Sequence, residues 1–265
     1  MILERNDMKK IKHRKYYADK YESNVNYQIN NLNKAIYRYG GSVNNKAKAY
    51  RYVSGIKKLG IMQPRTLKVA GDIITAHLSS EVITNKEDKY CMFTLVTGFN
   101  FGKDKWNMHY QKLVKQTKEL LEGYDYIATI ALDEFPKARY ADEGLLMSWH
   151  VHGIFFKEPT RWFISDINKK IEAKGYKITP LKKRHFVRLV DAVYYAFKSP
   201  FGGKVRYINK YGEKKSKSIS LYLNALYHNF LHLKSIKRSE WMFAGGKGRK
   251  VLNDILEDMN NVTVK

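Results

Sequence analysis

Hydrophobic residues recur along the chain with two different spacings, and each spacing predicts one kind of element. Apolar residues three and four positions apart predict amphipathic helices. The predicted helices cover 23–38, 46–59, 65–79, 105–122, 161–173, 184–198 and 220–233. Short runs rich in β-branched and aromatic residues, bounded by glycine or charged residues, predict strands. The predicted strands cover 90–97, 126–132 and 146–156.

The order of these elements predicts an α+β fold, in which helices flank a central antiparallel sheet. The segment 204–221 alternates like a basic β-hairpin, with its turn at Tyr211-Gly212. The helices at 46–59 and 65–79 fit a helix-turn-helix, but we favour an ordinary helical layer packed on a core. The run GGKGRK at 245–250 is expected to be a flexible basic loop.

This organisation predicts three regions. They are a basic helical N-terminal region (1–89), a central core (90–203), and a basic C-terminal hairpin and helix extension packed on that core (204–265).

Charge narrows the class of partner. The chain carries 49 Lys and Arg against 25 Asp and Glu, a net charge of +24. Residues 1–90 contribute +10, residues 91–200 contribute +6 and residues 201–265 contribute +8. Such an excess predicts a polyanionic partner, most simply nucleic acid, with an anionic membrane surface as the alternative.

The lack of apolar targeting segments and the single cysteine restrict the cellular compartments in which we expect the protein. No window of about 18 apolar residues exists, which argues against a transmembrane span, and residues 1–15 lack the apolar region of a secretory signal. The single cysteine, Cys91, excludes an internal disulfide framework and argues against a cysteine-based zinc site. One free thiol fits a reducing compartment, so we expect a cytoplasmic protein with no membrane partner.

Two histidines on one predicted strand form a candidate metal site. His150 and His152 are two residues apart, so both project from the same face of the strand and can converge on one divalent ion. A pair of merely hydrogen-bonded histidines is the alternative. Glu134 ends the preceding strand, which would pair antiparallel with the histidine strand, and its neighbour Asp133 would face the other side. We expect His150, His152 and Glu134 to bind Mg²⁺ or Mn²⁺, with Asp133 as the alternative ligand.

A tyrosine and a lysine on the next predicted helix form a candidate nucleophile arrangement. Tyr195 and Lys198 are three residues apart and share a helix face, while Tyr194 and Lys198 are four apart. A phenol beside a cation and near a metal can act as a nucleophile. Core packing of both tyrosines is the alternative interpretation.

These motifs, in this order, resemble the HUH endonucleases, specifically the rolling-circle replication initiators. Phe93-Thr94-Leu95-Val96-Thr97 is similar to the family's first motif with one residue extra. His150-Val151-His152 followed by apolar residues resembles the second motif, and Tyr195-Ala196-Phe197-Lys198 resembles the third. The resemblance covers about residues 90–203 and implies an RRM-like palm with a third, usually acidic, metal ligand on the neighbouring strand, where Glu134 stands.

The resemblance implies a metal-dependent, site-specific nickase and ligase acting on single-stranded DNA at a replication origin. It implies that Tyr195 attacks the scissile phosphate, with Tyr194 as the alternative nucleophile, and that Lys198 neutralises developing charge. The products would be a 5′-phosphotyrosine and a free 3′-hydroxyl primer. Because no Walker A spacing is present in the sequence, a host helicase and polymerase would complete replication, with the initiator acting as a monomer or dimer.

Basic segments outside these motifs are expected to contact DNA phosphates. The residues assigned this role are Lys182, Lys183, Arg184, Arg188, Lys204, Arg206, Lys210, Lys247, Arg249 and Lys250. Two other functions fit the sequence: a transposase of the HUH type, and a non-catalytic single-stranded nucleic-acid-binding protein. In the second of these, Phe155 and Tyr126 would be the aromatic platform of an RRM-like sheet and the histidines would be structural.

Overall fold

The computed structural model describes residues 21–55, 59–83, 90–97, 106–135, 146–198, 202–208 and 211–262. The helices in these ranges are α1 (Tyr21–Tyr39), α2 (Val43–Ser54), α3 (Thr66–Ser79), α4 (Trp106–Leu120), α5 (Arg161–Ala173), α6 (Leu189–Ala196), α7 (Leu223–Leu233) and α8 (Gly248–Asn261). The strands are β1 (Tyr90–Val96), β2 (Tyr126–Phe135), β3 (Leu146–Phe155), β4 (Lys182–Phe186), β5 (Gly202–Ile208), β6 (Lys214–Ser220) and β7 (Met242–Gly245).

The strands form one sheet with β3 at its centre. The order β4-β1-β3-β2 is antiparallel throughout, and β7 continues the antiparallel sheet beside the first half of β2. At the far end of β2, a single parallel bridge between Glu134 and Gly203 joins β5, which forms a hairpin with β6. Helices flank this sheet, so the predicted α+β class is confirmed, and the predicted boundary at 203/204 falls inside β5.

One face of the sheet carries aromatic side chains and is fully covered. Phe93, Tyr126, Trp149 and Phe155 are each at most 1% exposed. Helices α4 and α5 cover this face with Leu113, Leu120, Ile167 and Ile171. Each large apolar side chain buried in this way contributes about 1.5–3 kcal/mol to folding.

Gly153 of β3 permits the close packing of this aromatic face. A Cβ at this position would lie 2.3 Å from Cζ of Phe93 on the neighbouring strand β1. Glycine is therefore required where the Phe93 ring crosses the β3 backbone, immediately after the two histidines.

The other face of the sheet changes character along its strands. At one end, Met92, Ile127 and Ile154 pack against apolar residues of α3, α6 and α8, namely Ala70, Ile74, Ala192, Val193, Val251 and Ile255. Further along the same strands, the side chains on this face become polar. The polar end includes Thr94, Thr129, His150 and His152.

The prediction of a helix over 184–198 is wrong for the first part of this segment. Residues 182–186 form β4, which pairs with the edge of β1, and α6 begins only at Leu189. This pairing satisfies the backbone N–H and C=O groups along the outer edge of β1. Those groups would lack strand partners if residues 182–186 were helical. Arg188 separates the two elements with an extended backbone, and its guanidinium binds Asp191 in the first turn of α6 at 2.8 and 2.9 Å.

The prediction of a flexible loop at 245–250 is also wrong. Gly245 ends β7 and Gly248 begins α8, which extends to Asn261. Gly246 has φ of +54° in the tight turn between them, and the Lys247 backbone N–H donates to Asp125 Oδ1 at 2.7 Å. The glycines of this segment therefore form a defined turn between β7 and α8.

The helices before the sheet have different main packing partners. Helix α2 packs against α1, and α1 also packs against α7. Helix α3 packs against α6 and α8. These contacts favour the interpretation of α2 and α3 as parts of helical layers over a helix-turn-helix. None of the helices within the described ranges has the length and apolar character that crossing a membrane requires.

Candidate functional site

The two histidines of β3 lie side by side on the partly polar face of the sheet. Their ring centroids are 4.5 Å apart, and the side chains are 1% and 3% exposed for His150 and His152. The prediction that they share one face is therefore confirmed. Because β3 is the central strand, neighbouring strands supply side chains on both sides of this pair.

A threonine from β1 fixes the orientation of one of these rings. Thr94 is paired with His152 in the sheet register, and its Oγ1 lies 2.9 Å from His152 Nδ1. A hydrogen bond at one ring nitrogen orients the other nitrogen, which is the usual support for a metal-binding histidine. Thr94 belongs to the Phe-Thr-Leu motif, so the sequence signalled its strand but not its contact with His152.

The register of β2 distinguishes the two acidic residues. Asp133 is paired with Ser148, and Glu134 is paired with Met147. Since directly opposed residues in an antiparallel pair share a face, position 133 belongs to the row that contains His150 and His152, and position 134 does not. The expectation that Glu134 shares the histidine face is corrected by this register, which favours Asp133. The side chains of both acidic residues lie outside what the structure describes.

Tyr195 of α6 lies directly beside the histidine pair. Its ring centroid is 5.2 Å from that of His152 and 5.6 Å from that of Phe186. Two cations face the same phenol ring: Arg184 Cζ is 4.5 Å from the ring centroid and Lys198 Nζ is 5.5 Å from it. The structure thus brings together a phenol, two imidazoles and two cations that are separated widely in the sequence.

Tyr194 points away from this cluster. It is 6% exposed and packs with Val25 of α1, with Ile29 and Leu67 against the same small cluster. A Cβ at Gly71 of α3 would lie 2.8 Å from its ring. Tyr194 therefore lies in the packing layer between helices. Successive residues of a helix are rotated by about 100°, so adjacent tyrosines point in different directions.

Lys198 reaches Tyr195 from beyond the end of the helix. Helix α6 ends at Ala196, so the expectation that Tyr195 and Lys198 share one helical surface at i and i+3 is wrong in its geometry. Pro200 follows shortly in the sequence and disfavours helical backbone at the residue before it. The lysine nevertheless keeps its ammonium group 5.5 Å from the Tyr195 ring.

A buried arginine that the sequence analysis did not single out holds this helix end. Arg238 is 5% exposed. Its Nη1 donates to the Phe197 carbonyl oxygen at 2.9 Å, and its Nε donates to Thr66 Oγ1 at 2.9 Å. It therefore ties the end of α6 to the start of α3, next to Lys198. Nothing in the local sequence around Arg238 signals this role.

The remaining basic residues proposed to bind DNA have varied surroundings. Lys183 binds Glu158 at 2.7 Å and Arg188 binds Asp191, so both cations serve internal ion pairs. Lys182, Lys247, Arg249 and Lys250 are exposed. Arg249 also lines a groove of about 720 Å³ between α4 and α8, which includes Lys118 and Phe243. The side chains of Lys204 and Arg206, and all of Lys210, lie outside the described residues.

A second group of potential metal ligands lies on the other face of β4. Ligand atoms of Cys91, Glu158 and His185 lie within 4.8 Å of one another. Glu158 Oε1 binds both Lys183 Nζ at 2.7 Å and His185 Nε2 at 2.9 Å. Burial, assisted by the Glu158 carboxylate, raises the pKa of the Cys91 thiol to about 12. Within this group, Glu158 is therefore held by Lys183 and His185 beside the buried thiol of Cys91.

The aromatic platform of the non-catalytic alternative is not accessible. Phe155 is 0% exposed and Tyr126 is 1% exposed, because both belong to the covered face of the sheet. Neither ring can stack on a nucleic-acid base without unfolding this core, so this version of an RRM-like binding surface is wrong.

Comparison of the chain with protein-family models, with curated proteins and with solved structures gave no match.

Proposed function

We propose that this protein is a metal-dependent, site-specific single-strand DNA nickase and ligase that initiates rolling-circle replication. The proposal is supported above all by the position of Tyr195, whose ring lies 5.2 Å from the His152 ring and faces the cations of Arg184 and Lys198. A phenol, an imidazole pair and cations in one cluster suit transfer of a phosphoryl group to tyrosine.

The proposed donor set combines nitrogen and oxygen ligands for a divalent cation. His150 and His152 would supply two imidazoles, Thr94 contacts one of them, and Asp133, which shares their face by register, would supply the carboxylate. Two imidazoles and a carboxylate, with remaining positions for water or phosphate oxygens, favour Mn²⁺ over Mg²⁺, because Mg²⁺ prefers oxygen ligands throughout. Such an ion, when bound, would polarise the scissile phosphate and neutralise part of its charge.

The protein's own residues would carry the remaining chemistry. Tyr195 Oη forms a bond to phosphorus while the bond from phosphorus to the 3′-oxygen breaks, which leaves a 5′-phosphotyrosine and a 3′-hydroxyl. The phenol loses its proton to solvent and the leaving 3′-oxygen takes one up. Arg184 and Lys198 would stabilise negative charge on the phosphate as it builds up. Reversal of the same step would rejoin the strand, because the covalent link conserves the phosphodiester bond energy.

The test uses the full-length chain with single-stranded oligonucleotides that tile the DNA flanking its coding sequence, in the presence of Mn²⁺. We expect a nick at one position and a protein–DNA adduct that survives a denaturing gel, with both lost when EDTA is added. Tyr195→Phe removes only the attacking oxygen, so the adduct and the nick should disappear while folding is retained. The matched control, Tyr194→Phe, should keep most of the activity.

Peptide mass spectrometry of the trapped adduct assigns the nucleophile. A nucleotide on Tyr195 supports the proposal, and one on Tyr194 would reverse the assignment. Absence of any adduct across the tiled DNA, with binding intact, would support a non-catalytic protein instead. A plasmid carrying the nicked sequence then separates an initiator, which starts its replication, from a transposase, which moves the flanked segment.

A further inference from the structure

The first helical layer, formed by α1 and α2, carries a high positive charge and a single acidic residue, Glu22, in its first turn. Between Glu22 and Asp72 the sequence contains nine Lys or Arg residues and no Asp or Glu. The part of α1 after Glu22 and all of α2 lie in this interval. Lys68 in α3 pairs with Asp72 at 2.9 Å, but α1 and α2 contain no acidic residue after Glu22.

Aromatic and basic residues alternate along the exposed side of α1. Tyr27, Lys34 and Arg38 follow at i, i+7 and i+11, so they line one side of the helix, with Tyr37 beside them. Tyr27 is 54% exposed and Tyr37 is 73% exposed. The opposite side of α1 carries its core residues, Leu32, Ala35 and Ile36, which are fully buried. The core contacts of α1 are therefore made by residues other than these two tyrosines.

Helix α2 contributes further groups to the same surface. Lys46 Nζ lies 5.1 Å from the centroid of the Tyr37 ring. A groove of about 600 Å³ runs between the helices and is lined by Asn33, Lys34, Tyr37, Arg38, Tyr50 and Leu223. We call Tyr27, Lys34, Tyr37, Arg38, Lys46 and Tyr50 the basic–aromatic face.

We propose that the basic–aromatic face binds single-stranded nucleic acid, at a surface separate from the Tyr195 site. Cations would neutralise phosphates, while exposed tyrosine rings would stack on bases. Stacking requires bases that are free of a duplex partner, which is why the exposed aromatic rings favour a single strand over a double helix. A surface that bound polyanions by charge alone would have no use for exposed rings.

The position of α1 relates this face to the proposed site. The inner side of α1 contacts α6 through Val25 and Ile29, which pack with Tyr194. The basic–aromatic face thus lies on the outside of a helix whose inside contacts the helix of Tyr195. A strand held on α1 would be kept near the site without occupying it.

The binding test uses the full chain carrying Tyr195→Phe, so that cleavage cannot occur and the outcome does not depend on the proposed nicking activity. Fluorescence anisotropy measures affinity for labelled dT15, for a 15-base-pair duplex and for heparin, over a range of salt concentrations. Tyr27→Leu with Tyr37→Leu should weaken dT15 binding about 10-fold or more. The salt dependence should stay unchanged, because no charge is removed.

A charge variant separates the contribution of phosphate neutralisation from that of base stacking. Lys34→Gln with Arg38→Gln and Lys46→Gln should weaken binding of all three polyanions. The salt slope for dT15 should fall by about 2, because each phosphate that is no longer neutralised lowers the slope by roughly 0.7. The tyrosine double variant should leave heparin and duplex binding close to that of the parent.

Two control variants keep the inference falsifiable. Trp162→Leu removes an aromatic ring that is 85% exposed on α5, and Lys112→Gln with Lys115→Gln removes two exposed cations from α4. Both should bind dT15 within about twofold of the parent, since most substitutions outside a binding surface contribute little. Equal losses from Trp162→Leu and from the tyrosine double variant would overturn the assignment, as would unchanged dT15 binding by the tyrosine variant. Circular dichroism checks that every variant is folded.

Discussion

The two faces of β3 carry side chains of opposite character, although they alternate along the same ten residues. Trp149, Val151 and Phe155 point into a core that helices cover completely. His150 and His152 project from the other face, where α6 provides Tyr195 rather than an apolar side chain. The covered face holds the backbone of the histidines in place, and the partly polar face carries the groups to which the proposed chemistry is assigned. A functional group gains precise placement when its neighbours in sequence are locked in a core.

Removing an aromatic ring from the covered face should have the largest effect. Phe155→Ala should lower the free energy of unfolding by about 3–5 kcal/mol, because a fully buried ring is replaced by a cavity. Urea denaturation followed by circular dichroism measures this change. Trp162→Ala is the matched control, and its 85% exposed ring should cost no more than about 0.5 kcal/mol. Similar stabilities for the two variants would contradict the described core.

Removing a histidine from the other face should affect chemistry more than stability. His152→Ala should reduce metal-dependent nicking by about 10²–10³-fold, as expected for loss of one preorganised group that stabilises the transition state. Affinity for DNA should remain within a few-fold of the parent, because the basic surface is intact. Gel assays of nicking and anisotropy measurements of binding check both parts. Full nicking activity in this variant would contradict the metal site.

The two acidic residues of β2 offer a sharper version of the same comparison, since they are adjacent in sequence and the register assigns them to opposite faces of the sheet. Asp133→Asn should lower nicking by about 100-fold, and Glu134→Gln should leave it within about threefold of the parent. Titration of nicking activity with Mn²⁺ distinguishes weaker metal binding from slower chemistry. The reverse ranking would show that Glu134 is the ligand and that the register argument fails.

The smallest expected effect concerns the support of the histidine ring. Thr94→Val keeps the side-chain shape and removes the hydroxyl that lies 2.9 Å from His152 Nδ1. The Mn²⁺ concentration needed for half-maximal nicking should rise about 10-fold, which is typical for loss of a group that orients a metal ligand. Thr94→Ser, which keeps the hydroxyl, should stay close to the parent. Equal behaviour of the two variants would mean that the hydroxyl does not orient the ring.

The elements that the sequence predicted well are those whose pattern agrees with their environment. Strands β1, β2 and β3 carry alternating apolar residues that are buried on at least one face, and the two histidines follow that alternation. Strand β4 was missed because KKRHF has little apolar alternation and is followed at once by a helical pattern. Its pairing with β1 comes from tertiary structure, which local spacing does not report.

The parts of the site that the sequence did not predict depend on register and on distant contacts. Whether Asp133 or Glu134 shares the histidine face changes with a shift of one residue in the pairing of β2 and β3. Local patterns in the sequence do not fix that register. The helix of Tyr195 was predicted, but Arg238 lies 41 residues beyond Phe197 and 172 residues beyond Thr66. A contact between positions so far apart leaves no local pattern.

The late position of Arg238 in the sequence also has a consequence for when the proposed site is assembled during synthesis. His150, His152 and Tyr195 leave the ribosome well before residue 238, and β7 follows later still. Until then the carbonyl end of α6 lacks its guanidinium anchor and β2 lacks its β7 neighbour. A nascent chain can therefore contain every proposed reacting group before the contacts that hold the end of α6 and the edge of β2 have formed. The proposed nicking activity should therefore appear only after the segment through β7 has been made and packed.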